Sequence, residues 1–356
     1  MHDQSHGNLP ARVEENSSAL DSSQLPNQKL TRKLQEANNT LRESQLETKE
    51  LITEHAELNK NISTAGPKVD TKVIVKANPT IGTFKTSEIR PIQEIRSKTS
   101  KTVSFENKYT MVPGVVVGLT LVDICQKMAA RVSGYASAIR LSSFEINLDS
   151  WNDTRLFEAA CDWLEIEADD LDFQYGSYHT IEHYHWSATP AENTQRITFK
   201  RAYQSPPRVV VWLNLFDIAT QFVKRIKTFA TDVTATGFNL HIDSWSDTKL
   251  GWAMASWLAY PTDRPGLASG SFSTRDIRSP GQPQLYNSSF EPFPSGVFEK
   301  PPKVFLALNS LEIDNKHNQR LKVTADNVSA TGMTWHLDSW CDTILYSAGA
   351  SYIAFR

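Results

Sequence analysis

Apolar and polar residues alternate in two runs that recur three times along the chain. One run reads Val115, Val117, Leu119, Leu121, and its counterparts are Val209, Val211, Leu213, Leu215 and Val304, Leu306, Leu308. The other reads Phe144, Ile146, Leu148, then Phe238, Leu240, Ile242, then Met333, Trp335, Leu337. Period-two alternation marks a strand with one buried face, because successive side chains point to opposite sides of a sheet. Pro113, Pro207 and Pro302 stand just before the first run of each set, at a strand entrance where a missing N–H is tolerated. A related glycine phrase opens each set, at Gly82–Thr86, Gly176–Thr180 and Gly270–Thr274. Helical periodicity is almost absent from these stretches. The pattern predicts an all-β region of antiparallel sandwiches.

The hexapeptide DSW-x-DT follows the second run each time, at Asp149–Thr154, Asp243–Thr248 and Asp338–Thr343. Its tryptophans, Trp151, Trp245 and Trp340, lie 94 and 95 positions apart. A period near 90 residues lets each copy close its own core, unlike the 20–50-residue repeats of solenoids. The predicted units span residues 80–168, 171–261 and 265–356.

The first 79 residues differ in kind. Residues 1–28 are polar and predicted to be a disordered tail. Leu30, Leu34, Ala37, Leu41, Ser44, Thr48, Leu51, His55, Leu58 and Ile62 keep a 4-3-4-3 spacing among charged residues, which predicts a helix over 29–65. That helix reads as an oligomerising coiled coil, with a solvated helix or a disordered arm as the alternatives. Gly66-Pro67 ends it, and 66–79 reads as a linker.

Composition narrows the function classes. A net charge of −3 gives no general drive toward nucleic acid. No stretch of 18 apolar residues exists, so no insertion into a membrane is expected. The N-terminus has no apolar signal region, so the expected location is the cytoplasm, or the exterior by a route without a conventional signal peptide. Cys125, Cys161 and Cys341 occupy unmatched positions in the three units and form no disulfide framework.

Candidate chemistry repeats with the units. Arg131, Arg225 and Arg320 each precede the hexapeptide tryptophan by 20 positions, and Asp123, Asp217 and Glu312 precede those arginines by eight. A guanidinium fork beside a carboxylate suits a hydroxyl-rich ligand, and equally a structural ion pair. The tryptophans suit either a sugar face or a core. Asp153, Asp247 and Asp342 suit turn caps. His179, His183 and His185 alternate as on one face of a strand, which reads as a polar face or, less simply, a metal site. No nucleophile–base set, phosphate loop or HExxH motif occurs, so no enzyme activity and no cofactor are expected.

The block PP-x-V-x-V-x-L-x-x-L-x-D…R…V-x-x-T-G-F-x-L…W-x-D-T resembles the H-type lectin domain, the family of the snail agglutinin and of the discoidin C-terminal domain. The second unit carries it most fully, from Pro206-Pro207 through Arg225, Thr236-Gly237-Phe238 and Trp245 to Trp257-Leu258. The resemblance implies three tandem six-stranded antiparallel β-sandwiches and a multivalent, non-catalytic lectin binding galactose- or N-acetylgalactosamine-type glycans in clefts between sandwiches. It implies sugar-contacting roles for Arg131, Arg225 and Arg320, and for Trp151, Trp245 and Trp340. The residue after each tryptophan, a sugar-binding His in the snail lectin, is here Asn152, Ser246 or Cys341. A family Tyr position holds Phe157, Gly251 and Tyr346. The sandwiches are expected to pack as an intramolecular pseudo-trimer, or to join copies held together through residues 30–62. A protein-interaction scaffold that keeps the fold and has lost sugar binding is the alternative function.

Overall fold

The alternating runs form strands in a computed structural model that describes residues 79–106 and 109–356. The expected tail, heptad helix and most of the linker lie outside the described residues. Described residues 79–356 belong to one compact unit, Lys76–Arg356, rich in antiparallel strands. The first repeat contributes β1 (Thr80–Lys85), β2 (Ser100–Ser104), β3 (Gly114–Ile124), β4 (Ala130–Ser137), β5 (Ser143–Asp149) and β6 (Leu156–Ile166). The second contributes β7 (Gln174–His179), β8 (Thr194–Thr198), β9 (Arg208–Ile218), β10 (Lys224–Thr234), β11 (Gly237–Asp243) and β12 (Leu250–Tyr260). The third contributes β13 (Leu267–Ser273), β14 (Ser288–Pro292), β15 (Lys303–Ile313), β16 (Gln319–Ser329), β17 (Gly332–Asp338) and β18 (Leu345–Phe355). Pro113, Pro207 and Pro302 immediately precede β3, β9 and β15.

The six strands of a repeat do not make a sheet of their own. Each repeat splits into two halves of three strands, and each six-stranded sheet joins halves of two repeats. The orders are β2-β5-β4-β9-β12-β7, β13-β18-β15-β10-β11-β8 and β1-β6-β3-β16-β17-β14. The joints are β4 with β9, β10 with β15, and β16 with β3, all antiparallel. The third repeat therefore pairs back onto the first, and the three sandwiches form a closed intramolecular ring.

This ring explains why β3, β9 and β15 read as nearly unbroken apolar runs. One face of each strand fills its own sandwich, as Leu119, Leu213 and Leu308 do. The other face meets its counterparts in a second apolar cluster built from Val116, Val210 and Phe305, with Leu164, Leu258 and Ile353 on the neighbouring strands. A strand buried on both faces loses the clean alternation of a half-buried one. At the next matched position the repeats carry Gly118, Trp212 and Ala307. A side chain at Gly118 would strike the Trp212 ring and the Ala307 Cβ. The Trp212 indole N–H donates to the Val117 carbonyl at 2.8 Å, and its ring lies 4.9 Å from that of Phe305. One large residue and two small ones thus fill a site shared by three repeats.

The three histidines do not share a strand face. His179 ends β7, residues Thr180–Glu182 form a 3-10 turn, and His183 and His185 follow it. The His179 Nδ1 accepts the Ile181 N–H at 3.0 Å, which commits it to the turn. Among the described residues, no group of three or more His, Cys, Asp or Glu is placed to hold a metal.

Candidate functional site

The repeated hexapeptide is a fastening that holds a half-buried aromatic ring. Its first Asp accepts a backbone N–H from the strand-entry segment, at 3.1 Å for Asp243 with Asn193 and for Asp338 with Asn287. The Ser backbone N–H donates to that same segment, at 2.7 Å from Ser150 to Ser97, Ser244 to Ala191 and Ser339 to Leu285. The final Thr hydroxyl donates across to the preceding loop, from Thr154 to Ala129, Thr248 to Val223 and Thr343 to Asn318. The variable residue takes a left-handed conformation, with φ of 54° at Asn152, 60° at Ser246 and 56° at Cys341. Asn and Ser tolerate that region through local hydrogen bonding better than β-branched residues do. Trp151, Trp245 and Trp340 are left half-buried, outside both apolar clusters.

The second Asp of each hexapeptide holds the arginine rather than capping the turn with its side chain. Asp153, Asp247 and Asp342 accept from Nη1 of Arg131, Arg225 and Arg320 at 2.5, 2.5 and 2.6 Å. The other side of each guanidinium meets an acidic residue of the next repeat. Arg131 Nε lies 3.1 Å from Asp217, and Arg225 Nε lies 3.0 Å from Glu312. Arg320 Nε closes the ring to Asp123 at a looser 3.4 Å. Each such pair stands directly opposite in the joint between repeats. Burial raises the Asp217 carboxyl above its usual range against the pull of Arg131. Burial pushes Asp123 up to about 6, with Arg320 opposing and Glu158 and Asp342 adding to the shift. The arginines are therefore interface groups, with about 15% of each side chain exposed: 16% for Arg131, 14% for Arg225 and 13% for Arg320.

Beside the second of these ion triads lies a groove of about 650 Å³ between the second and third repeats. The second repeat supplies Lys227, Phe229, Asp243 and Trp245, and the third supplies Ser273, Arg275, Asp276, Asn309, Ser310 and Ser347. Glu312, outside the lining, holds two of the lining side chains. It takes Arg225 on one oxygen, and Arg275 at 3.0 Å and the Ser347 hydroxyl at 3.1 Å on the other. Asp276 accepts the Ser273 N–H at 2.7 Å, so the 3-10 turn Thr274–Asp276 presents its carboxylate at a fixed place. Lys227 Nζ lies 4.6 Å from the Phe229 ring centre. One half-exposed indole facing fixed donors and acceptors can take an apolar sugar face and its hydroxyls together.

The model of the H-type lectin domain matches residues 100–164, 194–260 and 292–355. The chain belongs to the H-type lectin family. Other likenesses are partial. The ORF 7 product of the ATP synthase subunits region of Fuscovulum blasticum is 35% identical over 74 residues, which cover 20% of this chain and 64% of that relative's length. The recombinant discoidin II of Dictyostelium discoideum aligns at 11% identity and a TM-score of 0.23, over 52% of this chain and 96% of that one.

In this lectin the expected site residues fall into two groups. Trp245 lines the groove between repeats two and three, whereas Arg225 stands behind it through Glu312. Ser246, like Asn152 and Cys341, is exposed at the turn. Tyr346 belongs to the third repeat, yet it is close enough to feel the charge of Arg225 in the second. The turn carboxylates Glu88, Glu182 and Asp276 were missed. Their signal was present, since each stands six residues after the glycine of the repeated phrase.

Proposed function

We propose that this chain is a non-enzymatic, multivalent lectin that recognises galactose- or N-acetylgalactosamine-type glycans at clefts between its sandwiches. The observation that carries the proposal is the groove in which half-exposed Trp245 faces Ser273, Asp276 and Asn309 across a joint between repeats. The indole offers an apolar plate for the C–H face of a sugar, and the carboxylate accepts from vicinal hydroxyls. In this reading Arg225 acts by holding Glu312, which positions Arg275 and Ser347. Asn152, Ser246 and Cys341 differ at one exposed position, so the three clefts are expected to differ in preference.

A glycan array on the purified full chain tests the proposal. Galactose-type binding that is lost in Trp245→Ala, with the thermal unfolding profile unchanged, supports it. Binding to no glycan overturns it. The interaction-scaffold reading draws on the same ion triads, because each arginine already has two carboxylates for partners. Capture of a protein partner that free galactose does not displace would favour that reading.

A further inference from the structure

The three clefts are built on matched strands but differ in what the following repeat brings to them. At three positions that line the cleft the third repeat carries Ser269, Ser310 and Ser347, and against Asn309 and Ser310 it carries Gly349. The second repeat carries Tyr175, Leu215, Trp252 and Met254 at the matched positions, and the first carries Ile81, Leu121, Glu158 and Ala160. Cross-strand register confirms the matching at the joint, where Ser310 opposes Lys227, Leu215 opposes Ser133 and Leu121 opposes Lys322. At Gly349 a Cβ would crowd Asn309 Oδ1 and Ser310 Oγ, so the glycine leaves those polar groups room.

The small residues have a spatial consequence. The 650 Å³ groove at Trp245 shares Thr228, Phe229, Ser271 and Asn309 with a second cavity of about 250 Å³, which runs on to Arg208 and Ser269. The two cavities therefore adjoin along the joint, with Ser269, Ser271, Asn309, Ser310 and Ser347 among their lining residues. Between the first and second repeats the cavity is about 200 Å³ and is bordered by Tyr175 and Met254. Between the third and first it is about 440 Å³. Neither of those two cavities includes the tryptophan of its own hexapeptide.

We infer that the two adjoining cavities between the second and third repeats accommodate a linear oligosaccharide, running from Trp245 toward Arg208, rather than a single terminal sugar. This rests on the reading of the site as sugar-binding and adds its length and direction. A cavity of 650 Å³ lies within the ~300–1,000 Å³ of sites that enclose drug-sized ligands, well above what one ring requires. On the third-repeat wall Ser269, Ser271, Asn309, Ser310 and Ser347 offer hydrogen-bond partners to successive rings. The cavities described at the other two joints are not lined by Trp151 or Trp340.

The test is calorimetric titration of the full chain with neutral galactose-type saccharides of one to four rings. Affinity is expected to rise about tenfold, ~1.4 kcal/mol, from one ring to three and then level off, with one long saccharide bound per chain. Ser269→Tyr installs the second repeat's residue at the inner end. It is expected to bring the trisaccharide-to-monosaccharide affinity ratio to about one. Should that variant fail to fold, Ser310→Leu, with the residue both other repeats carry, gives the same reading nearer Trp245. Equal affinity for all lengths in the wild-type chain overturns the inference and leaves sugar binding standing. Absence of binding to every saccharide overturns both.

Discussion

The repeats meet at two kinds of surface, an apolar axis and a set of polar clefts, and both have lost their threefold symmetry in different ways. At the axis the divergence is compensated. Trp212 is large where Gly118 and Ala307 are small, and the shared space stays full. In the cleft between repeats two and three it is only partly compensated. Ser269, Ser310, Ser347 and Gly349 replace larger residues, and open space remains although Lys227, opposite Ser310, is larger than its first-repeat counterpart Ser133. Interiors are close-packed, so compensated change preserves a fold. Partly compensated change that leaves room at a rim is the kind that serves a ligand.

Four substitutions sharpen or break this comparison. Trp212→Ala should cost about 3–5 kcal/mol in chemical denaturation, because Gly118 and Ala307 cannot fill the void. A loss below ~1 kcal/mol would show that the axis is not packed as a unit. Arg225→Ala should cost about 1–3 kcal/mol, since one oxygen of the largely buried Glu312 loses its guanidinium partner while the other keeps Arg275 and Ser347. It should also weaken glycan binding, because Glu312, the acceptor of Arg275 and Ser347, is held less firmly. Trp245→Ala should behave oppositely to Trp212→Ala. Its stability change is expected within ~1 kcal/mol, and its glycan affinity should drop about tenfold or more.

The smallest effect concerns the loosest joint. Burial raises the folded-state pKa of Asp123 from 3.8 to about 6. A raised acid binds extra protons in the folded state, so its contribution to stability is full below about pH 4 and fades as pH rises through about 6. Asp123→Asn removes that dependence. The melting-temperature difference, wild type minus variant, should therefore fall between pH 4.5 and 7.5, and a flat difference would break the assignment.

The sequence already carried the strands and their threefold repetition, because period-two alternation is a local property. β3, β5 and their counterparts stand where Val115–Leu121 and Phe144–Leu148 placed them. What it hid is set by ring closure. Arg131 has an acidic residue eight positions away at Asp123, yet its partner is Asp217 in the next repeat, 86 positions on. Arg320 finds Asp123, at the other end of the ring. Spacing within one repeat cannot reveal a pairing made between repeats. The second buried face of β9 was legible in principle, since Val209-Val210-Val211-Trp212-Leu213 is an unbroken apolar run, the mark of a strand covered on both sides. The half-exposed state of the hexapeptide tryptophans was not legible, because an indole at a strand end suits a core as well as a surface.

The joint between β16 and β3 also sets an order of events at the ribosome. β3 emerges early, but the strand that covers its edge begins only at Gln319. At roughly 5–20 residues per second, the nearly 200 residues between them take about 10–40 s to synthesise. Through that interval the nascent chain displays an uncovered strand edge, the kind of template on which a neighbouring polypeptide can pair. Newly made molecules thus display one strand edge, that of β3, which the finished ring covers, and slow translation through the third repeat lengthens that exposure.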